Sequence, residues 1–247
     1  MPPLSNLPIA ANVVVIGASG GIGAEFVRQL STVAHVAQVH ALSRGGAEFA
    51  DPKVLSHAVD ITDEDSIRPA ALAAGAEAPL DAVIVATGML HAGSIQPEKS
   101  LTQIDPQAML EVMQVNAIGP ALVAKHFLPR MRRDARTVFA ALSARVGSIA
   151  DNRLGGWASY RASKAALNML LKTAAIEQAR RFPECIIVGL HPGTVDTGLS
   201  KPFQRRVPEG KLFSPETSVR HMCRVIDGLS PTDSGRCFAW DGNAVEY

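Results

Sequence analysis

No sign of charge dominates this chain: 247 residues carry 24 Lys and Arg against 23 Asp and Glu, a formal net charge of +1. So even a balance gives no electrostatic reason to expect nucleic acid or a membrane surface as partner. Lys201, Arg205, Arg206 and Lys211 fall in one segment, which a solvated loop explains as well as an anionic partner does. Cysteine is scarce, and Cys185, Cys223 and Cys237 are widely spaced and odd in number. No disulfide framework or metal site is suggested, which fits a reducing compartment. No apolar run approaches the ~18 residues of a membrane span. The stretch Met1–Pro8 lacks the basic-then-apolar order of a secretion signal. Repeats and composition breaks are also missing. The expectation is one cytoplasmic domain, 1–247, with 47% hydrophobic residues to build its core.

What is present is organised around Val13–Ile22. Val13 to Ile16 read as a strand buried on both faces. Gly17, Gly20, Gly21 and Gly23 then break the run, and from Ala24 helical periodicity brings Phe26, Val27 and Leu30 to one side. Strand, glycine turn and helix form the context of an anion site, because bare backbone can approach a pyrophosphate and the helix start offers free N–H groups. The spacing Gly17-x-x-x-Gly21-x-Gly23 is not Gly-x-Gly-x-x-Gly, and a tight turn alone would also want glycine.

Further strands are expected at 37–42, 55–59, 82–86, 137–142, 185–190 and 237–240. Helices are expected over 106–131, 159–182 and 215–229, with an acidic helix start at Asp63. Alternation throughout predicts an α/β fold, a doubly wound parallel sheet of Rossmann type with helices on both faces. Ligands of such sheets sit beyond the carboxyl ends of the strands, which places Gly17, Ser43, Asp60, Gly88, Ser143 and Pro192 on one rim.

Tyr160 and Lys164 stand four positions apart and share a helix face. An ammonium near a phenol favours the phenolate and is expected to lower its pKa, making tyrosine usable as acid or base near neutral pH. Ser143 could hydrogen-bond the same substrate oxygen. Such a Tyr–Lys pair also arises by chance on helix surfaces.

Taken together these features resemble the short-chain dehydrogenase/reductase family, in its C-factor-like branch, across essentially the whole chain. The resemblance implies a catalytic tetrad of Asn116, Ser143, Tyr160 and Lys164, with Asn116 ordering a water in a proton relay. A helix-bending role ahead of Gly119-Pro120 would also explain Asn116. It implies a cofactor loop of Gly17, Ser19, Gly21, Ile22 and Gly23, and an adenine contact at Asp60 and Ile61. Ala86, Thr87 and Gly88 stand where the family has Asn-Asn-Ala-Gly. Pro192, Gly193, Val195 and Thr197 resemble the segment that holds the nicotinamide carboxamide, while Tyr160 and Lys164 also touch the cofactor. Two departures are Ile16-Gly17 in place of Thr-Gly and a longer stretch between Ser143 and Tyr160.

NAD selection wants a carboxylate at the end of the second strand, yet no acidic residue lies between Phe26 and Ala47. Ser43 and Arg44 stand there instead and suit a 2′-phosphate. NADP is therefore expected, with NAD as the alternative. The expected activity is reduction of a small carbonyl compound or oxidation of the alcohol, and a homo-oligomer stays open. A nucleotide-binding regulatory protein with little turnover is the rival; a methyltransferase would leave the Ser–Tyr–Lys set unexplained. The expected lid comprises 198–213, with Leu199, Phe203, Val207 and Leu212, and 145–157, with Val146, Ile149, Leu154 and Trp157. Few charged groups converge there, which suits an apolar substrate. His91 and His191 read as loop or packing residues.

Overall fold

A computed structural model describes residues 2–247; the Arg206 side chain, one of the basic groups noted above, lies outside the described residues. The chain runs β1 (Ala11–Ile16), α1 (Gly21–Ser31), β2 (Val36–Ser43), β3 (Val54–Ala58), α2 (Glu64–Ala74) and β4 (Ala82–Val85). There follow α3 (Pro106–Met113), α4 (Gly119–Phe127), β5 (Thr137–Leu142), α5 (Ala158–Gln178) and β6 (Cys185–His191). The last elements are β7 (Thr194–Val195), β8 (Leu212–Phe213), α6 (Pro215–Gly228), β9 (Cys237–Ala239) and β10 (Ala244–Val245).

Eight strands form one sheet in the order β10-β9-β6-β5-β4-β1-β2-β3, parallel except for β10, while β7 and β8 pair separately. The chain winds outward from β1 to β3, then returns to start again at β4 on the other side of β1. That reversal opens a crevice at the carboxyl ends of β1 and β4. All six β1 residues are buried, and alternation divides them between two cores. Val13 and Val15 face the layer of α1 and α6, with Phe26, Leu30, Met222 and Ile226. Val14 and Ile16 face the opposite layer, with Ile67, Val123, Phe127 and Leu167. Burial on both faces is what the unbroken valine run encoded.

The expected helix over 106–131 is interrupted. A π turn at Gln114–Ile118 separates α3 from α4, and Leu128–Arg130 closes in 3-10 form. Pro120 supplies the reason: it has no N–H for the Asn116 carbonyl and its ring crowds that carbonyl, so the backbone widens by one residue. The first helix begins at Gly21 rather than Ala24. Strands β7, β8 and β10 were not expected; each is two residues long, too short for a periodicity to show.

Candidate active site

The glycine loop is built by close approach. A Cβ on Gly23 would stand 2.1 Å from the Gly17 carbonyl oxygen, and one on Gly21 would meet the Thr197 methyl at 2.8 Å. Gly17 sits at φ +88, with the Ala86 backbone about 3 Å from where its Cβ would be. Only residues without a side chain let β1, α1 and the end of β4 converge this tightly. The α1 N-cap, Gly20, makes no side-chain cap bond, so the first N–H groups of the helix point into the crevice mouth.

A cavity of about 490 Å³ opens from this loop and is lined by Gly20–Ile22, Ala86–Gly88, Ser143–Val146, Tyr160, Lys164 and the 191–200 segment. Leu90, Trp157, Leu199, Phe203 and Val207 close its far end. A larger depression, about 790 Å³, lies on the outer face of α4 and α5 and contains none of these groups. Gly21, Ile22, Ala86, Thr87, Gly88, Pro192, Gly193, Val195 and Thr197 line this one cavity together. Ser19 and Arg44 lie exposed beyond it, on the β2 side of the loop.

Several expected contacts take a different form. Asp60 spends one carboxylate oxygen on the Thr62 N–H (2.9 Å) and hydroxyl (2.7 Å), bonds that hold its pKa down with help from Arg44. The Ile61 side chain is core, sitting where Gly119 would otherwise carry a Cβ. Ser43 is buried and its Oγ accepts the Ala47 N–H at 2.9 Å, which shapes the turn before Arg44. Of the expected lid groups, Ile149 and Leu154 are 78% and 92% exposed, and Leu212 belongs to β8 outside the cavity. Flanking polar turns decide which apolar residues of a loop turn inward, and periodicity does not report them.

The residues expected to be catalytic are also bonded differently. Asn116, fully buried in the π turn, pairs with the Met89 backbone in both directions (2.8 and 2.7 Å) and donates to Ser163 Oγ at 3.0 Å. Its side chain is therefore committed to holding the segment after β4, not to a water; the carbonyl freed by Pro120 is its remaining polar group. Ser143 reaches the rim, but its hydroxyl donates to Asn168 Oδ1 at 2.7 Å. Ala144, the next residue, packs against Tyr160 with Leu90. The expected donation from Ser143 to a substrate oxygen is not set up in this arrangement.

Lys164 Nζ donates to the Leu142 carbonyl at 2.8 Å and lies 5.8 Å from the centre of the Tyr160 ring. Burial pushes the Tyr160 phenol up to about 12 and the Lys164 ammonium down to about 8. The expected lowering of the phenol is thus reversed: desolvation outweighs an ammonium occupied by a backbone carbonyl. Tyr160 remains a protonated phenol across the neutral range. His191 lines the cavity as a neutral imidazole, pushed down to about 4 chiefly by burial.

Trp157 occupies the α5 N-cap at φ 54, ψ 41, a left-handed conformation that costs a bulky residue on the order of 1–3 kcal/mol. Its ring meets the Phe203 ring at 5.1 Å and the Tyr160 ring at 6.3 Å between centres. His91 draws the segment after β4 onto the same wall, with Nε2 3.2 Å from the Leu199 carbonyl. Sequence reasoning missed Asn168, although its place one helical turn after Lys164 was a usable signal. It also missed Glu98, a buried carboxylate from a distant loop that meets Ser159.

A family model described as short chain dehydrogenase matches residues 11–207. The C-signal protein of Myxococcus xanthus is 39% identical over 148 residues, 60% of this chain and 84% of the relative. The 1-hydroxy-2-glutathionyl-2-methyl-3-butene dehydrogenase of Rhodococcus sp. (strain AD45) is 28% identical over 238 residues, 96% of this chain and 100% of the relative. Among solved structures, the NADPH-bound carbonyl reductase from chicken fatty liver superposes with a TM-score of 0.84 at 26% identity, covering 98% of this chain and 97% of that one. Family model, sheet order and the Tyr160–Lys164 pair agree: the chain belongs to the short-chain dehydrogenase family.

Proposed function

We propose that this protein is an NADPH-dependent reductase of small, mostly apolar carbonyl compounds. The observation that carries this reading is the buried, protonated Tyr160 beside Lys164, in the cavity that the glycine loop and the Pro192–Thr197 segment share. A dinucleotide fits the groups present. Thr87 Oγ1 is buried without a partner among the described residues, and the α1 N-cap Gly20 makes no side-chain cap bond, which leaves the first N–H groups of that helix for an anion. Gly20–Ile22 and the α1 start would take the pyrophosphate, with Thr87 and the 192–197 segment around the nicotinamide. Arg44, exposed at the end of β2 where no acidic residue stands, would take the 2′-phosphate. The chicken reductase, which is bound to NADPH, supports the same choice.

When bound, the reduced nicotinamide supplies the hydride that the carbonyl carbon accepts. Tyr160 gives its phenolic proton to the carbonyl oxygen as that hydride arrives, so the product is the neutral alcohol. Lys164 steadies the resulting phenolate until solvent returns a proton. Leu90, Val146, Trp157, Leu199, Phe203 and Val207 exclude water around the carbonyl and favour apolar substituents. The test is consumption of NADPH and NADH with matched apolar and anionic carbonyls. A higher kcat/KM for the anionic set, or equal use of both cofactors, would overturn the corresponding half of the proposal.

A further inference from the structure

The start of α5 carries the proton donor, yet its own sequence does not cap it. Trp157 at the N-cap makes no side-chain cap bond, and the first turn holds no acidic residue. The first N–H groups of a helix need acceptors from elsewhere. Glu98, in the loop after β4 and 7% exposed, provides them. Its carboxylate accepts the Ser159 N–H at 3.3 and 3.2 Å and also the Ser159 hydroxyl, while its carbonyl accepts the Trp157 N–H at 2.6 Å. One residue thus grips, with main chain and side chain, the two positions that flank Ala158 just before Tyr160.

The grip falls where the backbone is least relaxed. Gly155, Gly156 and Trp157 all have positive φ, at 63, 67 and 54. For the two glycines this conformation is free, whereas Trp157 adopts it against its preference. Arg161 holds the other side of the bend, donating to the Gly156, Gly155 and Val146 carbonyls at 2.9, 3.2 and 3.3 Å. Pinned in this way, the indole packs on the cluster of Leu90, Ala144 and Tyr160 and against Phe203 in the cavity wall.

We propose that Glu98 is a positioning residue: by capping α5 from outside it holds Trp157 left-handed, sets the aromatic wall of the substrate cavity and thereby selects carbonyl compounds with a flat apolar group. This rests on the carbonyl-reductase reading, but its first test does not. In a Trp240→Phe background Trp157 is the sole tryptophan of the chain. There Glu98→Ala should shift its emission to the red and increase acrylamide quenching severalfold, whereas Glu98→Gln, which keeps one acceptor oxygen, should restore most of the native signal. In turnover, Glu98→Ala should raise KM for an aryl aldehyde at least tenfold and for a short alkyl aldehyde less than threefold, with NADPH affinity unchanged within twofold. Should Glu98→Ala not fold, the same comparison is made with Glu98→Asp, whose carboxylate is one methylene short of the Ser159 N–H and where a smaller change of the same sign is expected. Native emission and an unchanged aryl-to-alkyl ratio in the folded variant would overturn the proposal. If the native protein reduces neither aldehyde, the functional reading falls, while the emission result still decides whether Glu98 places Trp157.

Discussion

Replacing Lys164 with methionine separates what the ammonium costs the fold from what it does for chemistry. Bringing a lysine from 10.5 down to about 8 burdens the native state by roughly 3 kcal/mol at neutral pH. The sign follows from proton counting: between about 8 and 10.5 the unfolded chain binds the proton and the folded chain does not, so stability rises with pH through that window. Methionine removes this burden but leaves the Leu142 carbonyl without its donor, a loss of about 1–3 kcal/mol that does not vary with pH. The two effects nearly offset at pH 7, so the variant is expected to fold with stability within about 2 kcal/mol of native while losing its turnover. Urea unfolding of both proteins at pH 7 and pH 10 is the assay. Native protein should gain about 2.5 kcal/mol on the variant between the two pH values, because most of the lysine burden is relieved by pH 10. Parallel stability curves would show that Lys164 keeps its ordinary proton affinity, and the assignment of a depressed pKa would fail.

Tyr160→Phe should lower kcat by about a hundred- to ten-thousand-fold, the range for a lost general acid, with NADPH affinity within a few-fold; near-native kcat would refute proton donation by this phenol. Arg44→Asp should shift the NADPH-to-NADH ratio of dissociation constants toward NADH by about ten- to a hundredfold, read by fluorescence titration. An unchanged ratio would leave Arg44 as a solvated side chain. Ser143→Ala should reduce kcat/KM by less than about tenfold, because the hydroxyl already serves Asn168. A loss of several hundredfold would return that hydroxyl to the substrate oxygen. The reductive kcat/KM should stay level below pH 8 and fall above it as Lys164 loses its proton, and a level profile to pH 10 would separate Lys164 from the chemistry.

Local patterns in the sequence determined the frame. A β-branched run of strand length that ends in glycines reads as a buried parallel strand entering a tight turn, so β1, the glycine loop and the body of α1 were legible together. Tyr160 and Lys164 were legible as a pair because a helix fixes the geometry of residues one turn apart. The missing carboxylate near Arg44 needed only the position of β2. Tertiary structure decided the rest, because each outcome depends on partners distant in sequence. Whether Ser143 donates to a substrate or to Asn168 is set by α5 packing against β6 beside the end of β5, and whether Asn116 meets water or Met89 by the π turn that Pro120 forces. The pKa of Tyr160 follows from burial, which an isolated motif cannot express, and so inverts the order expected from its lysine neighbour. Glu98 meets the start of α5 across 61 positions of sequence, a separation over which no spacing rule acts. Chain pattern fixes which residues can share an element; which polar groups finally face one another is fixed by how the elements close on a core with no room for alternatives.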